Sequence, residues 1–274
     1  MEVTLLGTGD TTGTPTVGCD CDTCTAARDR GVSRSRFSVH VRNERTDESL
    51  LVDCSPDFRR QFLARDVALP DAAVVTHVHF DHLDGLGNAY RLFDDLPVHA
   101  AAAIDGATGE SVAETVARKY DYLDPLAVDG HEPFEPFRVC GFEATLVPVV
   151  HPPLASYGLA LEEPTTGAKL SLSGDTAFEF PARSREALAD PDLLLADGIV
   201  PADLCSHHPA GGAHHDADGV PRTFGTKHMT REGALALGAE LDADETRVVH
   251  VSHFYAADEA FAEPLAVDGE RYVL

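Results

Sequence analysis

Directly after the apolar run Ala72-Ala73-Val74-Val75, the chain continues as Thr76-His77-Val78-His79-Phe80-Asp81-His82. Side chains alternate between the two faces of a strand, so His77 and His79 should point to the same side and bind one divalent ion. Asp81 and His82 follow a bend and are placed to reach a second ion. Two cations roughly 3.5–4 Å apart clamp the attacking and leaving oxygens of a displacement. The stretch therefore predicts a hydrolytic metal site at a strand end.

Three more side chains of metal-binding type stand at the ends of other apolar strands. His151 follows the apolar residues 144–150, and His250 ends the run 246–249. Asp175 ends an alternating strand, where Gly174 lets the backbone turn. Open α/β sheets place their ligands at the carboxyl ends of strands. We therefore expect these three side chains to join the histidines of residues 77–82.

The spacing from His77 to His82 resembles the H-x-H-x-D-H signature of the metallo-β-lactamase superfamily. The resemblance implies an α/β fold, a four-layer αββα sandwich, which we expect to form one domain over residues 1–274. It also implies two catalytic divalent ions that share one bridging carboxylate. The ligands it assigns are His77, His79 and His151 for one metal, Asp81, His82 and His250 for the other, and Asp175 for the bridge.

Two further expectations concern this metal site. Asp81 is expected to act in catalysis as well as to bind metal. Asp53 ends an early strand and matches the superfamily's motif aspartate; we expect it to orient the ligand loop rather than to bind metal. Neutral imidazole and carboxylate suit zinc or manganese, so the sequence leaves the identity of the two metals open.

Residues 18–24 form a second constellation, with Cys19, Cys21 and Cys24 at C-x-C-x2-C spacing. This spacing is too tight for a relaxed disulfide framework and suits three corners of a tetrahedral zinc, although reduced, partly buried thiols are an alternative. His253 is a spare ligand three residues after His250. The arrangement resembles the phosphoribosyl cyclic phosphodiesterase of the carbon-phosphorus lyase pathway and its relatives. The resemblance implies a structural zinc held by the three cysteines and His253, in a segment at about residues 18–26.

A histidine in the C-terminal part of the chain is a candidate general acid. His228 precedes the helical stretch 231–237, and by the resemblance it lies beside the phosphate, where it would protonate the leaving oxygen or brace the phosphoryl group. The alternative is a solvated histidine near a helix N-terminus. A nearby tract contains four more histidines and is predicted to be a loop; His-rich tracts of this kind can bind metal adventitiously. Its members, to which we assign no role, are His207, His208, His214 and His215.

Hydrophobic periodicity predicts a long alternation of strands and helices without internal repeats. Strands are predicted at 2–7, 36–42, 49–53, 72–76, 97–100, 136–149, 156–162, 168–173, 193–196 and 246–250. Helices are predicted at about 55–65, 85–93, 109–119, 183–189 and 231–239.

The formal net charge is -25, from 46 acidic and 21 basic residues spread along the whole chain. This distribution excludes an acidic tail and indicates a protein adapted to the high salt of a halophile. A surface this acidic disfavours nucleic acid as a partner. Residues Met1–Leu6 are predicted to form a strand and lack the pattern of a signal peptide or a membrane span. We therefore expect a cytoplasmic protein. Six cysteines, half of them clustered, fit a reducing compartment.

These features together predict a metal-dependent phosphodiesterase. Its substrate would be a small phosphodiester, most simply a cyclic ribose phosphate, and its product a phosphomonoester; the resemblance also suggests a homodimer. A transfer-RNA 3′-processing endonuclease shares the metal motif, but we find no basic, glycine-rich arm for gripping tRNA. A third alternative is a metal-stabilised cofactor-biosynthesis or carrier protein of the same fold. Lactamases and hydroxyacyl-glutathione hydrolases would explain residues 77–82 but not the cysteines.

The charge predicts that stability rises with salt. Unpaired carboxylates repel one another over a Debye length of ~30 Å at 0.01 M salt but only ~3 Å at 1 M. Thermal unfolding followed by circular dichroism should show a higher melting temperature at the higher concentration. A melting temperature that is equal or lower at 1 M would contradict the salt-adapted interpretation.

Overall fold

Two mixed β-sheets face each other across a shared apolar core in the computed structural model, which describes residues 1–212, 215 and 217–274. Within this part of the chain, seven strands form the first sheet in the order β15-β1-β2-β3-β4-β5-β6. They are β1 Glu2–Gly7, β2 Ser38–Arg42, β3 Ser49–Val52, β4 Ala72–Val75, β5 Leu96–Ala101, β6 Leu126–His131 and β15 Arg271–Val273. The strands from β3 to β6 are parallel to one another, and the rest pair antiparallel.

The second sheet has six described strands in the order β14-β11-β10-β9-β8-β7. They are β7 Phe137–Val139, β8 Phe142–Val149, β9 Ser156–Glu162, β10 Lys169–Leu172, β11 Leu193–Asp197 and β14 Glu245–Val249. β10, β11 and β14 are parallel. A separate hairpin is formed by β12 Thr223–Phe224 and β13 His228–Met229.

Helices cover the outer faces of both sheets. The α-helices are α1 Asp22–Arg30, α2 Phe58–Arg65, α3 Phe80–Leu83, α4 Ala89–Leu92, α5 Val112–Lys119, α6 Ala182–Leu188 and α7 Arg231–Glu240, with 3-10 turns at Asp84–Asn88 and Ala202–Ser206. α2 and α5 pack on the first sheet, while α6 and α7 pack on the second. This is the αββα sandwich that the sequence predicts. No helix in the described ranges is both long and apolar enough to cross a bilayer.

The apolar core has two parts. The larger part lies between the sheets and includes the fully buried Leu50, Leu146 and Leu170. The smaller part lies between the second sheet and its helices, around Leu194 and Leu237. Each fully buried leucine contributes roughly 1.5–3 kcal/mol of transfer free energy, so the apolar runs that predicted the strands also hold the layers together.

The structure departs from the predicted elements where the local sequence is polar or the strand is short. The predicted strand 136–149 is a hairpin, because Cys140 and Gly141 take positive φ values of 50° and 72° and reverse the chain. α1 was not predicted, since its sequence is mostly polar and begins inside the cysteine segment. β6, β12, β13 and β15 were also missed; the last three span two or three residues each, too few to show a period.

Candidate metal centre

The seven ligands proposed from the sequence converge at one edge of the sandwich. They follow the carboxyl ends of β4, β8, β10 and β14, strands that belong to both sheets. β4 already ends at Val75, so strand alternation is not what brings His77 and His79 together. A short loop carries His77, and His79 caps α3, which contributes Asp81 and His82. A bend in the backbone therefore places the four side chains.

Three imidazoles form the first group, His77, His79 and His151. His77 Nε2 lies 3.0 Å from His79 Nδ1, and His151 Nε2 lies 3.2 Å from the same atom. His151 Nδ1 donates to the Lys227 carbonyl at 3.0 Å, which leaves its Nε2 with a lone pair towards the group. Burial, with the neighbouring charge of His82, holds the pKa of His77 well below its usual range. These nitrogens are therefore neutral donors that converge on one point, which fits a divalent cation.

The second group consists of Asp81, His82 and His250. His82 Nδ1 lies 2.6 Å from Asp53 Oδ2, and Asp53 also accepts hydrogen bonds from the backbone and hydroxyl of Thr76. Asp53 thus lies behind His82, away from the group. Both His82 Nε2 and His250 Nε2 are buried and lack a well-aligned hydrogen-bond partner among the described residues. Two orphaned ring nitrogens beside a carboxylate also fit a cation.

Asp175 lies between the two groups. Its Oδ2 is 3.2 Å from His250 Nε2, 3.3 Å from His82 Nε2 and 3.7 Å from His77 Nε2. Burial raises the pKa of the Asp175 carboxyl, but the charges of His250 and His82 hold it well below its usual range. Burial likewise opposes charge on His250, yet Asp175 and Asp81 raise its pKa to about 9. Asp175 is therefore an anionic neighbour of both groups, as a bridging ligand must be.

Backbone strain marks two of these strand ends. Asp53 and His250 both have left-handed backbones, with φ values of 58° and 57°. Non-glycine residues pay a conformational cost there, and such residues cluster at functional sites. Both side chains contact the ligand cluster, Asp53 through His82 and His250 through Asp175.

Sequence inspection did not single out Asp197, the last residue of β11. Its buried Oδ2 accepts hydrogen bonds from His228 Nδ1 at 2.9 Å and from the Thr176 backbone at 3.0 Å. A ring nitrogen of His228 also lies within 4.8 Å of ligand atoms of His151 and Asp175. The signal that could have found Asp197 was its place after an apolar strand, the context that Asp175 shares.

A cavity of about 250 Å³ that is open to solvent is lined by His228 and five of the seven ligands, namely His79, Asp81, His151, Asp175 and His250. Thr11, Phe80, Ile199 and Lys227 complete its walls. The His-rich tract lies elsewhere: His208 packs against Phe224, His215 lies 3.2 Å from the Gly219 carbonyl, and neither they nor His207 line the cavity. His214 lies outside the described residues.

The structure also brings the cysteine segment and His253 together. Cys19, Cys21, Cys24 and His253 bring one ligand atom each within 4.8 Å of the others. His253 Nδ1 lies 3.4 Å from Cys21 Sγ and 3.5 Å from Cys19 Sγ. Burial opposes ionisation of Cys21, but His253 and the Cys24 backbone lower its pKa to about 6. The thiols are free, and three sulfurs with one imidazole fit a closed tetrahedral zinc site.

The fold agrees with comparisons to known families. The family model for the β-lactamase superfamily domain matches residues 48–251. The chain belongs to this superfamily.

Several individual proteins are similar to this chain. A coenzyme PQQ synthesis protein B of Methylobacterium nodulans is 31% identical over 74% of this chain and 74% of that protein. An octanoyltransferase of Porphyromonas gingivalis is 28% identical over 92% of this chain, which spans only 46% of that protein's length. Among solved structures, a diphosphatase of the PhnP family has a TM-score of 0.77 at 25% identity and covers 99% of this chain and 96% of its own. Zinc-bound PqqB of Methylobacterium extorquens shares the fold, with a TM-score of 0.78 at 21% identity over the full length of both chains.

Replacement of Asp175 should dismantle the metal centre. Asp175→Ala removes the carboxylate that faces both ligand groups, so we expect loss of bound catalytic metal and of hydrolysis. Elemental analysis and a turnover assay measure the two effects. Asp121→Ala removes the same charge from an exposed position and serves as the control. Near-normal turnover of Asp175→Ala would rule out the bridging assignment.

The cysteine site should act on stability. Cys21→Ser should lower the melting temperature and remove about one equivalent of zinc, while the catalytic metals still load. Cys140→Ser is a matched control, because Cys140 lies outside the cluster and serine can keep its hydrogen bond to the Ser49 carbonyl. Full zinc content together with an unchanged melting curve in Cys21→Ser would contradict a zinc at this site.

Proposed function

We propose that this chain is a metal-dependent hydrolase with two catalytic metals, and that it cleaves a small phosphodiester to a phosphomonoester. Membership of the β-lactamase superfamily and likeness to a PhnP-family diphosphatase support a hydrolase. We infer the phosphodiester substrate from one observation, which is that His228 pairs with Asp197 beside the seven ligands. A diester needs a proton at its leaving alkoxide, and this pair is suited to supply one.

The proposed residue roles follow from the contacts. His77, His79 and His151 would hold one divalent ion, Asp81, His82 and His250 the other, with Asp175 shared. When bound, such a pair activates water near neutral pH and offsets charge on the phosphoryl oxygens. Zinc and manganese both suit this donor set.

His228 would act as the general acid. Asp197 accepts a hydrogen bond from His228 Nδ1, so this ring nitrogen carries a proton and the ring is fixed in orientation. The imidazolium form of His228 is the form that can donate a proton. The other ring nitrogen is then free to protonate the leaving oxygen of a substrate in the cavity.

Two properties favour a small substrate. The cavity volume of about 250 Å³ lies below the usual range of ligand pockets, roughly 300–1,000 Å³. The net charge of -25 opposes a long polyanion. We propose a cyclic ribose phosphate as the simplest diester that meets both conditions.

A role in cofactor biosynthesis is the second candidate, favoured by the curated relatives named coenzyme PQQ synthesis protein B. The transfer-RNA endonuclease shares the fold, since human short-form tRNase Z superposes with a TM-score of 0.67 at 16% identity over 100% of this chain and 99% of its own. A screen of metal-loaded protein in high salt, with cyclic diesters, linear diesters and pre-tRNA, separates these functions. Turnover of small diesters supports our proposal, preferential cleavage of pre-tRNA would replace it with the nuclease, and no turnover of either would favour cofactor biosynthesis.

The leaving group tests His228 as the acid. Loss of general acid catalysis costs roughly 10²–10⁴-fold. His228→Ala should therefore slow a diester with an alkoxide leaving group strongly and a nitrophenyl diester much less, because nitrophenolate leaves without a proton. His207→Ala, at an exposed histidine outside the cavity, should change neither rate. Equal losses on both substrates would refute the assignment.

A further inference from the structure

Lys227 lines the metal-centre cavity, and its ammonium group has no acidic partner among the described residues. The chain has only three lysines. Lys119 pairs with Asp84, and Lys169 lies 3.8 Å from Glu162 and donates to the Ala189 carbonyl. Among the described residues, no carboxylate lies within ion-pair distance of Lys227.

The backbone of Lys227 is fixed against the ligand groups. Its carbonyl accepts the hydrogen bond from His151 Nδ1, and its neighbour in sequence is His228. Lys227 lines the same cavity as His79, Asp175 and His228.

A partly buried cation without an anion loses hydration and gains little in return. An anion that enters the cavity would supply the partner that this ammonium group lacks among the described residues. A phosphoryl group that reacts between His228 and the ligand groups carries non-bridging oxygens, and their charge redistributes in the transition state. Fixed cations aimed at such oxygens lower the barrier.

We infer that Lys227 binds a non-bridging oxygen of the reacting phosphoryl group and stabilises its transition state. This inference rests on the proposed phosphodiesterase function. It makes Lys227 a catalytic residue that acts on the phosphoryl oxygens, whereas His228 acts on the leaving oxygen. Replacement of Lys227 should therefore lower the rate similarly for all leaving groups. Replacement of His228 should lower it mainly for leaving groups that need a proton.

Leaving-group dependence provides the first test. Lys227→Met should reduce kcat by roughly 10- to 100-fold, the range for a hydrogen bond to a charged group. The reduction should be similar for alkoxide and nitrophenolate leaving groups, because the non-bridging oxygens are the same in both. Lys227→Arg should recover part of the rate, and Lys119→Met is the control of equal charge. Unchanged kcat, or a loss confined to the alkoxide substrate, would overturn the inference.

Binding of inorganic phosphate separates this inference from the proposed function. Calorimetry on metal-loaded protein should show about 10-fold or greater weakening in Lys227→Met, with metal content and melting temperature unchanged. If the parent protein cleaves no diester but phosphate affinity still depends on Lys227, the function fails and the anion site stands. If diesters are cleaved while neither kcat nor phosphate affinity depends on Lys227, the function stands and the inference fails.

Discussion

The burial of charge at one edge of the sandwich is the constraint on which the rest of the structure depends. Asp53, Asp175 and Asp197 are almost completely removed from solvent, and so are His77, His82 and His250. An isolated buried charge costs far more free energy than a domain of this size can spare. Each of these carboxylates therefore faces an imidazole. This requirement sets how the ends of strands from two separate sheets must meet.

Much of the fold and most of the ligand cluster could be predicted from sequence, because both depend on local patterns. An apolar run followed by His or Asp predicts both a strand and a polar side chain at its end. The positions of His151, Asp175 and His250 could be predicted for this reason. Asp197 has the same context, but a single aspartate after a strand looks like any turn residue. Its importance comes from His228, which reaches it through a hairpin of two-residue strands that no periodicity reveals. The helix after Cys21 was hidden for a similar reason, since its polar sequence gives no apolar face.

Proteins with different names share this fold, including a PhnP-family diphosphatase and PqqB. Fold alone therefore does not select the reaction. The reaction therefore depends on the side chains around the ligand cluster. Lys227 and His228 line the same small cavity and belong to the β12–β13 hairpin, which is separate from both sheets, while Asp197 ends β11 of the second sheet.

The spacing of His250 and His253 has a consequence for the order in which the protein matures on the ribosome. Cys19 leaves the ribosome 234 residues before His253, its partner in the cysteine cluster. At about 5–20 residues per second, the three thiols are synthesised roughly 10–50 s before His253. His250 is synthesised within the same second as His253, so the two clusters become complete almost together. Until then the nascent chain carries most of its metal donors unsatisfied, and any ion captured early is held by an incomplete set.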